Sequence, residues 1–516
     1  MELTLPTVPS LPVVVLALPV VFYVLYVLSW RARSRGRPLP PGPKRLPVVG
    51  NLFNTPKVHP WLTYRDLCSK YGDILHFRIL GHSIVILGSA ELMTQYLDKR
   101  SANTSDRKQT PLIELTGGGL NFGHLPYGPW WRRHRRSFWQ HFSPSAVAQY
   151  ESHQRAMAHK LVGDILRDPL RLPQHLQFNF NATLMKLLYN IDVAGDNDKH
   201  LAIVDAALSG APQGGVPGKF LIRYFPFLRY IPDFLPGAGF QKQFARWQAA
   251  ANALKNVPFE HVKAFMDHDG QESIIGRLLD ALATRSGPLS VAEEEEVIKN
   301  VGAISFDAGA DTTISTLQAA LLALCLFPEV LRKVQAELDA VVGPNRLPDF
   351  SDSIELVYLN AVIKETFRWF NVVPLGVPHC TTADDELNGF FIPKGTVLIP
   401  NVWACMHDPE VYENPHEFRP ERFIKDGQLD AGTRDPYEYV FGFGRRICPG
   451  RHYAEGVVFI NLASILHVFD VSAPRARNDQ PIVHEMRASD GYLLYPERCL
   501  FTIKPRSTEA ESLIMG

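Results

Sequence analysis

The residues best suited to chemistry are gathered in positions 441–450, Phe441-Gly442-Phe443-Gly444-Arg445-Arg446-Ile447-Cys448-Pro449-Gly450. One cysteine lies between glycines, with Arg446 two residues before it. Pro449 can take a first helical position, and an apolar run follows over 453–469. A cysteine just ahead of a helix meets the positive end of the dipole and free backbone N–H groups, which favour the thiolate. Gly442, Gly444 and Gly450 leave the backbone bare where something flat and bulky can lie against it. Two readings are open: a thiolate offered to a metal in a buried slot, or a small buried hydrophobe.

A second group is Ala308-Gly309-Ala310-Asp311-Thr312-Thr313. It lies in the middle of a long helix that opens on the capping box Ser290-Val291-Ala292-Glu293 and meets no proline before Pro328. Such a helix runs roughly 50 Å at 1.5 Å per residue. Its sides are mostly apolar after Lys299, so it crosses the core. Bonding back to a preceding carbonyl accounts for one buried threonine. It does not account for Asp311. A third group is Trp130-Trp131-Arg132-Arg133-His134-Arg135-Arg136, where Trp131 and Arg135 share a helical face. That face is either a solvated basic surface or a seat for something flat and anionic. Glu365 and Arg368 stand three apart on a helix expected over 354–370; as a surface pair they add little.

The elements that must hold these groups are legible in outline. A chain of 516 residues, 46% apolar and 21% charged, buries a large core. The 53 basic and 53 acidic residues balance, so no global field invites nucleic acid. Six cysteines at 68, 325, 380, 405, 448 and 499 have neither disulfide nor zinc spacing, which suits a reducing compartment. Residues 11–30 are nearly all apolar, with Arg31, Arg33, Arg35 and Arg37 following and only Glu2 charged before them. That is the pattern of an uncleaved membrane anchor with the bulk of the chain on the cytoplasmic side. The division is therefore an anchor and basic flank over 1–37, a proline hinge over 38–43, and one large domain over 44–516. Within the domain, 73–87 reads as a hairpin around Gly81-His82 and 116–129 as a loop over a site. Residues 145–210 read as helices, and 386–400 as short strands around Asn388-Gly389 and Lys394-Gly395. Residues 468–506 read as short strands turning at Ser489-Asp490-Gly491. The aromatic stretch 214–240 is either a buried loop or a contact with the membrane interface. Asn103-Thr104-Ser105 and Asn181-Ala182-Thr183 fit the glycosylation pattern, which stays unmodified on the cytosolic side.

In this order, from about Pro40 to the end, the motifs resemble those of the haem-thiolate monooxygenases, the cytochromes P-450. Phe441-x-x-Gly444-x-Arg446-x-Cys448-x-Gly450 is similar to the family's cysteine loop at every fixed position. Glu365-x-x-Arg368 and Pro415-x-x-Phe418-x-Pro420-x-Arg422-Phe423 are similar to its glutamate–arginine and meander motifs. Ala308-Gly309-x-Asp311-Thr312-Thr313 is similar to its oxygen-activation motif, and Trp131-x-x-x-Arg135 to its haem-contacting helix. Anchor plus proline hinge resembles microsomal members, and the overall texture resembles fungal enzymes of secondary metabolism.

The resemblance implies a mainly α fold with small β-sheets, preceded by a single N-terminal transmembrane helix. It implies haem b (iron protoporphyrin IX) held by Cys448 as axial ligand. Trp131, Arg135, His379 and Arg446 would face the propionates; Phe441, Gly442 and Gly450 would line the thiolate side. Glu365, Arg368 and Arg422 would form a structural network, while Thr312 and Asp311 would activate dioxygen and deliver protons. The reaction implied is R–H + O2 + two electrons + two protons giving R–OH + H2O. Electrons would come from a separate NADPH–cytochrome reductase, since the chain has no dinucleotide fingerprint or flavin domain. The setting implied is the endoplasmic reticulum membrane, single-pass, with the catalytic domain in the cytosol. A lipophilic substrate would contact 101–125, 204–216, 306–308, 372–375 and Gly491-Tyr492. A reductase-independent haem-thiolate isomerase, dehydratase or peroxide-user is the second reading, and a non-catalytic binding protein the third; the acid–threonine pair speaks against both.

Overall fold

The helix Val291–Leu326 is the axis on which the rest is laid. Its start is closed reciprocally: Ser290 N–H donates to Glu293 Oε2 at 2.8 Å, and Glu293 N–H donates to Ser290 Oγ at 3.3 Å. Two first-turn donors are thereby satisfied. The helix is long and apolar enough to cross a membrane, but 67% of its most apolar stretch is buried inside the protein, as a core helix requires. Against it pack the helices Pro129–Phe142, Leu172–Tyr189, Phe240–Phe265, Ile274–Ala283, Val357–Trp369 and Arg451–Val468. This computed structural model describes residues 11–195, 197–210, 220–235, 237–265, 273–283, 290–474, 487–497 and 501–515.

The strands are few and serve to fix loops. Ile74–Ile79 pairs antiparallel with His82–Leu87, which runs parallel to Val397–Pro400, with His379–Cys380 antiparallel beyond it. The hairpin turns at Leu80-Gly81 (φ 47° and 86°), one residue earlier than expected. Asn388-Gly389 makes a tight turn of the same left-handed kind (φ 50° and 84°) between Asp385–Leu387 and Phe390–Ile392. Near the C-terminus Phe469–Ser472 pairs with Thr502–Pro505. The expected turn at Ser489-Asp490-Gly491 is part of a wider loop: Ser489 N–H donates to Tyr495 O at 2.9 Å, and Tyr495 N–H to Ser489 Oγ at 3.0 Å. The hydroxyl of Ser489 substitutes for a backbone partner, which is how a short turn becomes a longer one. The parts of the expected strands at 475–486 and 498–500 lie outside the described residues.

At the other end, the helix Leu11–Ser34 extends past the expected 11–30. Its apolar side chains from Val20 to Tyr26 are exposed, but its last turns are seated on the domain. Trp30 meets Phe391 edge-on at 5.2 Å, and Arg33 clasps Asp384 with two bonds of 2.7 and 2.6 Å. The proline segment is stitched down rather than free: the carbonyls of Pro38 and Pro41 accept from Phe391 N–H and His76 N–H, each at 2.8 Å. The charge asymmetry around Glu2 lies outside the described residues. So do 214–219 and 236 of the aromatic stretch. Its described part is mixed, some aromatics packed and others exposed. Phe220 packs on Phe244 and Trp247, whereas Phe227 and Tyr230 are 63% and 79% exposed. Asn181 is only 1% exposed within its helix, so its glycosylation pattern has no accessible acceptor.

The helix expected over 354–370 begins instead at Val357, after a tight turn over Phe350–Ile354 capped by Asp349. The surface reading of its Glu365–Arg368 pair is wrong, because both residues are 0% exposed. Arg368 donates to Glu365 through two bonds of 2.6 and 2.8 Å. Its remaining N–H groups reach the carbonyls of Met406, Pro415 and Glu417. Glu365 also accepts from Arg419 N–H at 2.8 Å and Arg422 Nε at 3.2 Å. An ion pair taken out of water must be this completely bonded to persist. Glu365→Ala is expected to cost roughly 3–5 kcal/mol in denaturant unfolding, because it strands the Arg368 charge. Glu365→Gln, which keeps an acceptor, should cost clearly less.

Candidate active site

Cys448 is held by its own loop. Its N–H donates to Phe441 O at 2.7 Å, and Phe441 is wedged on Phe367 and Tyr437 at 5.3 and 5.7 Å. Gly442 and Gly444 have φ of 81° and 53°, the left-handed region that glycine tolerates. At Gly444 a Cβ would also come within 2.6 Å of Leu97 O, and the Gly444 N–H donates to Asp98. Gly450 is different: its φ is −95°, and a Cβ there would meet only Phe138 at 3.9 Å. No protein atom requires glycine at 450. The helix starts at Arg451 with Gly450 as its cap, so Pro449 lies just outside the first turn rather than in it. Burial pushes the Cys448 thiol up, against the Gly450 N–H and the Arg135 and Arg451 charges, which favour the thiolate. The dipole argument from sequence alone therefore names a real influence, but the larger one opposes it.

Around this loop the chain gathers cations, Arg446 and Arg107 buried and Arg135 half-buried. Arg446 donates to Ser105 O at 2.7 Å, Phe122 O at 3.3 Å and Leu125 O at 2.8 Å. Its guanidinium stacks over the Trp131 ring at 4.5 Å. Arg135, on the same face of Pro129–Phe142, donates to Ile447 O. Arg107 donates to Gly123 O, Val377 O and Pro378 O at 2.9, 2.8 and 2.6 Å. Among the described residues none of the three has a carboxylate within ion-pair distance. Burial pushes Arg446 down to about 9, and Arg107 and Arg135 to about 10. Three guanidiniums supplied with carbonyls but no paired carboxylate, Asp106 acting on Arg107 and Arg446 only at a distance, fit together with the Cys448 thiol a flat dianionic group bearing a metal that takes a thiolate. Iron protoporphyrin IX is such a group. His379 joins the cluster as a neutral ring. Its Nδ1 faces Thr104 O at 2.9 Å, and burial with Arg107 and Arg446 alongside holds its pKa well below the usual value.

On the central helix the sequence of burial breaks at one place. Residues 301–306 are buried, Ala308 is exposed, and Asp307, Gly309, Asp311 and Thr312 keep partial exposure. These positions are hemmed in by protein yet accessible, so this face lines an internal space. Thr312 Oγ1 donates to Ala308 O at 3.0 Å, the back-bond anticipated for a buried threonine. Burial raises the Asp311 carboxyl, against a hydrogen bond from the Tyr495 hydroxyl; Asp307 and Asp205 add to the rise.

The structure thus brings together Cys448, Phe441, Gly442, Trp131, Arg135, Arg446 and His379, and displays Asp311 and Thr312 on an accessible helix face. It sets Glu365, Arg368 and Arg422 apart in the packing beneath the meander. Of the expected substrate-facing segments, Asn121 of the 101–125 loop reaches Asp307. Phe306 does not face the space; it is buried against Tyr189 at 6.4 Å. Val372 is tied into the core, its carbonyl accepting from Leu494 N–H at 2.8 Å. Of the 204–216 region, 211–216 lie outside the described residues. Arg107, Asn121 and Tyr495 escape sequence reasoning, because each is a single loop residue without periodicity or spacing to mark it.

The comparisons place this geometry. The family description "Cytochrome P-450" matches residues 40–501. A cytochrome P-450 monooxygenase of Coprinopsis cinerea (COX2) is 38% identical over 484 residues, covering 93% of this chain and 92% of that protein. A cytochrome P-450 monooxygenase of Armillaria gallica is 35% identical over 511 residues, 96% of this chain and 98% of its own. The tryptamine 4-monooxygenase of Psilocybe cyanescens is 36% identical over 499 residues, 95% and 97%. The chain belongs to the cytochrome P-450 family of monooxygenases, whose members bind haem through a cysteine thiolate.

Proposed function

We propose that this protein is a membrane-anchored haem-thiolate monooxygenase that oxidises a lipophilic small molecule in fungal-type secondary metabolism. The observation that carries this reading is Cys448 in one loop with the buried Arg446, which has Arg135 and Arg107 near it, none of the three arginines having a carboxylate within ion-pair distance among the described residues. Cys448 would supply the thiolate to the haem iron, and Trp131, Arg135, Arg446 and Arg107 would hold the propionates. His379, neutral and bonded to Thr104 O, contributes shape more than charge. Phe441 shields the thiolate and Gly442 lets the loop turn under it. Bound in this site, haem supplies the activation of dioxygen that one-atom oxygen transfer needs. Asp311 and Thr312 carry protons inward from the Tyr495 side, so that the second oxygen atom leaves as water. For Thr312 to act, its hydroxyl turns out of its bond to Ala308 O.

Electrons come from a membrane NADPH–cytochrome reductase. The exposed apolar side chains from Val20 to Tyr26 of the helix Leu11–Ser34, with Arg31 and Arg33 in its last turns, support an anchor in the endoplasmic reticulum with the domain in the cytosol. The relatives' fungal sources support the metabolic setting, and one of them is named for a small aromatic amine. Membranes containing this chain and a reductase should form oxidised product from a lipophilic metabolite library only when NADPH is added. Equal turnover with reductase omitted would contradict the reading in favour of a reductase-independent enzyme. Thr312→Ala should keep NADPH consumption while product per NADPH falls at least about tenfold. Unchanged coupling would remove Thr312 from proton delivery.

A further inference from the structure

Asp307 stands one turn before Asp311 on the accessible face of Val291–Leu326. Asn121 Nδ2 donates to its Oδ2 at 2.6 Å. Asn121 is itself fixed, because its Oδ1 accepts from Gly123 N–H at 2.8 Å. The clamp is therefore rigid from the loop side. Among the described residues the other Asp307 oxygen receives no hydrogen bond, and no lysine or arginine lies within ion-pair distance. The nearest cations are committed elsewhere. The same short loop gives the carbonyls of Phe122 and Leu125 to Arg446 and that of Gly123 to Arg107.

If Asp307 served only to staple the loop to the helix, asparagine would do it without the cost of a buried acid. The charge needs its own reason. Burial raises the Asp307 carboxyl, and a cation arriving at its open oxygen would stabilise the ionised form. Asp307 and, more weakly, Asp205 act on Asp311, so the acids on this side repel one another. The Tyr492 hydroxyl is pushed up to about 12, by burial first; Arg107 and Arg223 oppose the rise and Asp307 adds to it, so it stays neutral. With Arg107 and Arg223 lying toward Tyr492, it is the open Asp307 oxygen, beside Asp311, that favours a cation over a further carboxylate.

We infer that Asp307, clamped by Asn121, is a specificity-determining residue that binds a protonated amine carried by an otherwise apolar substrate. The inference rests on the monooxygenase reading above, since it takes the face of Asp307 to be the substrate side of the haem. The test is titration of the ferric full-length holoenzyme with three ligands of equal chain length: N,N-dimethyldodecylamine, dodecanol and dodecanoate. The crowded tertiary amine is protonated at neutral pH and is a poor ligand for iron. Dissociation constants are read from the Soret shift on binding. The amine should bind about tenfold or more tighter than the alcohol, and dodecanoate weakest, as a charge-assisted hydrogen bond requires. Asp307→Asn keeps an acceptor for Asn121 and should bring amine and alcohol to equal affinity with haem content unchanged. Asn121→Ala should lose part of the amine preference and leave the alcohol unaffected. Equal binding of amine and alcohol by the unaltered protein, no response to the amine, or a preference that survives Asp307→Asn overturns the inference. Loss of the thiolate-type Soret band in the unaltered reduced carbonyl complex would instead overturn the monooxygenase reading itself.

Discussion

Positive charge buried without water is the constraint on which this structure turns. Arg368 and Arg446 are both interior, yet they are solved in opposite ways. Arg368 has Glu365 as counter-ion and three carbonyls for its remaining protons. It therefore completes itself from the chain and can bind the meander to the helix Val357–Trp369 as a permanent joint. Arg446, with Arg107 and Arg135, receives carbonyls alone. A carbonyl satisfies an N–H group but does not neutralise a charge, and among the described residues this second set has no paired carboxylate. The first set belongs to folding; the second is the one the proposed function gives to the cofactor.

The loop 121–125 ties that second set to the Asp307 face of the central helix. Three of its carbonyls hold Arg446 and Arg107, and its Asn121 side chain holds Asp307. A displacement of the loop would be felt at the propionate cations and at the helix face together. Loops carry function when a rigid scaffold positions them, and here the scaffold is the core helix on one side and the Cys448 loop on the other.

Features written in local spacing were legible in the sequence. The capping box at Ser290, the hairpins at Gly81 and Asn388-Gly389, and the Trp131–Arg135 face all come from rules about neighbours, and they appear with boundary shifts of a residue or so. Glu365–Arg368 shows where local rules stop. Spacing predicts the pair, but only tertiary burial separates a weak surface contact from a fully bonded interior one. The same holds for Cys448: proximity to a helix start was readable, whereas the desolvation that outweighs it depends on distant segments. Arg107 and Asn121 were invisible because their partners, Val377 and Asp307, are remote in the chain. Gly450 was legible as a motif residue, yet no protein contact explains it.

The central claim is that Cys448 alone supplies the thiolate to haem iron, within a site whose charge is set by arginines. Cys448→Ser removes the thiolate while keeping a side chain of similar size on the same Phe441-bonded loop. The most direct measurement is the absorption spectrum of the reduced carbonyl complex of the full-length protein and this variant. The account predicts the strongly red-shifted Soret band of thiolate ligation in the unaltered protein and its disappearance in Cys448→Ser. A red-shifted band that persists in the variant would contradict it.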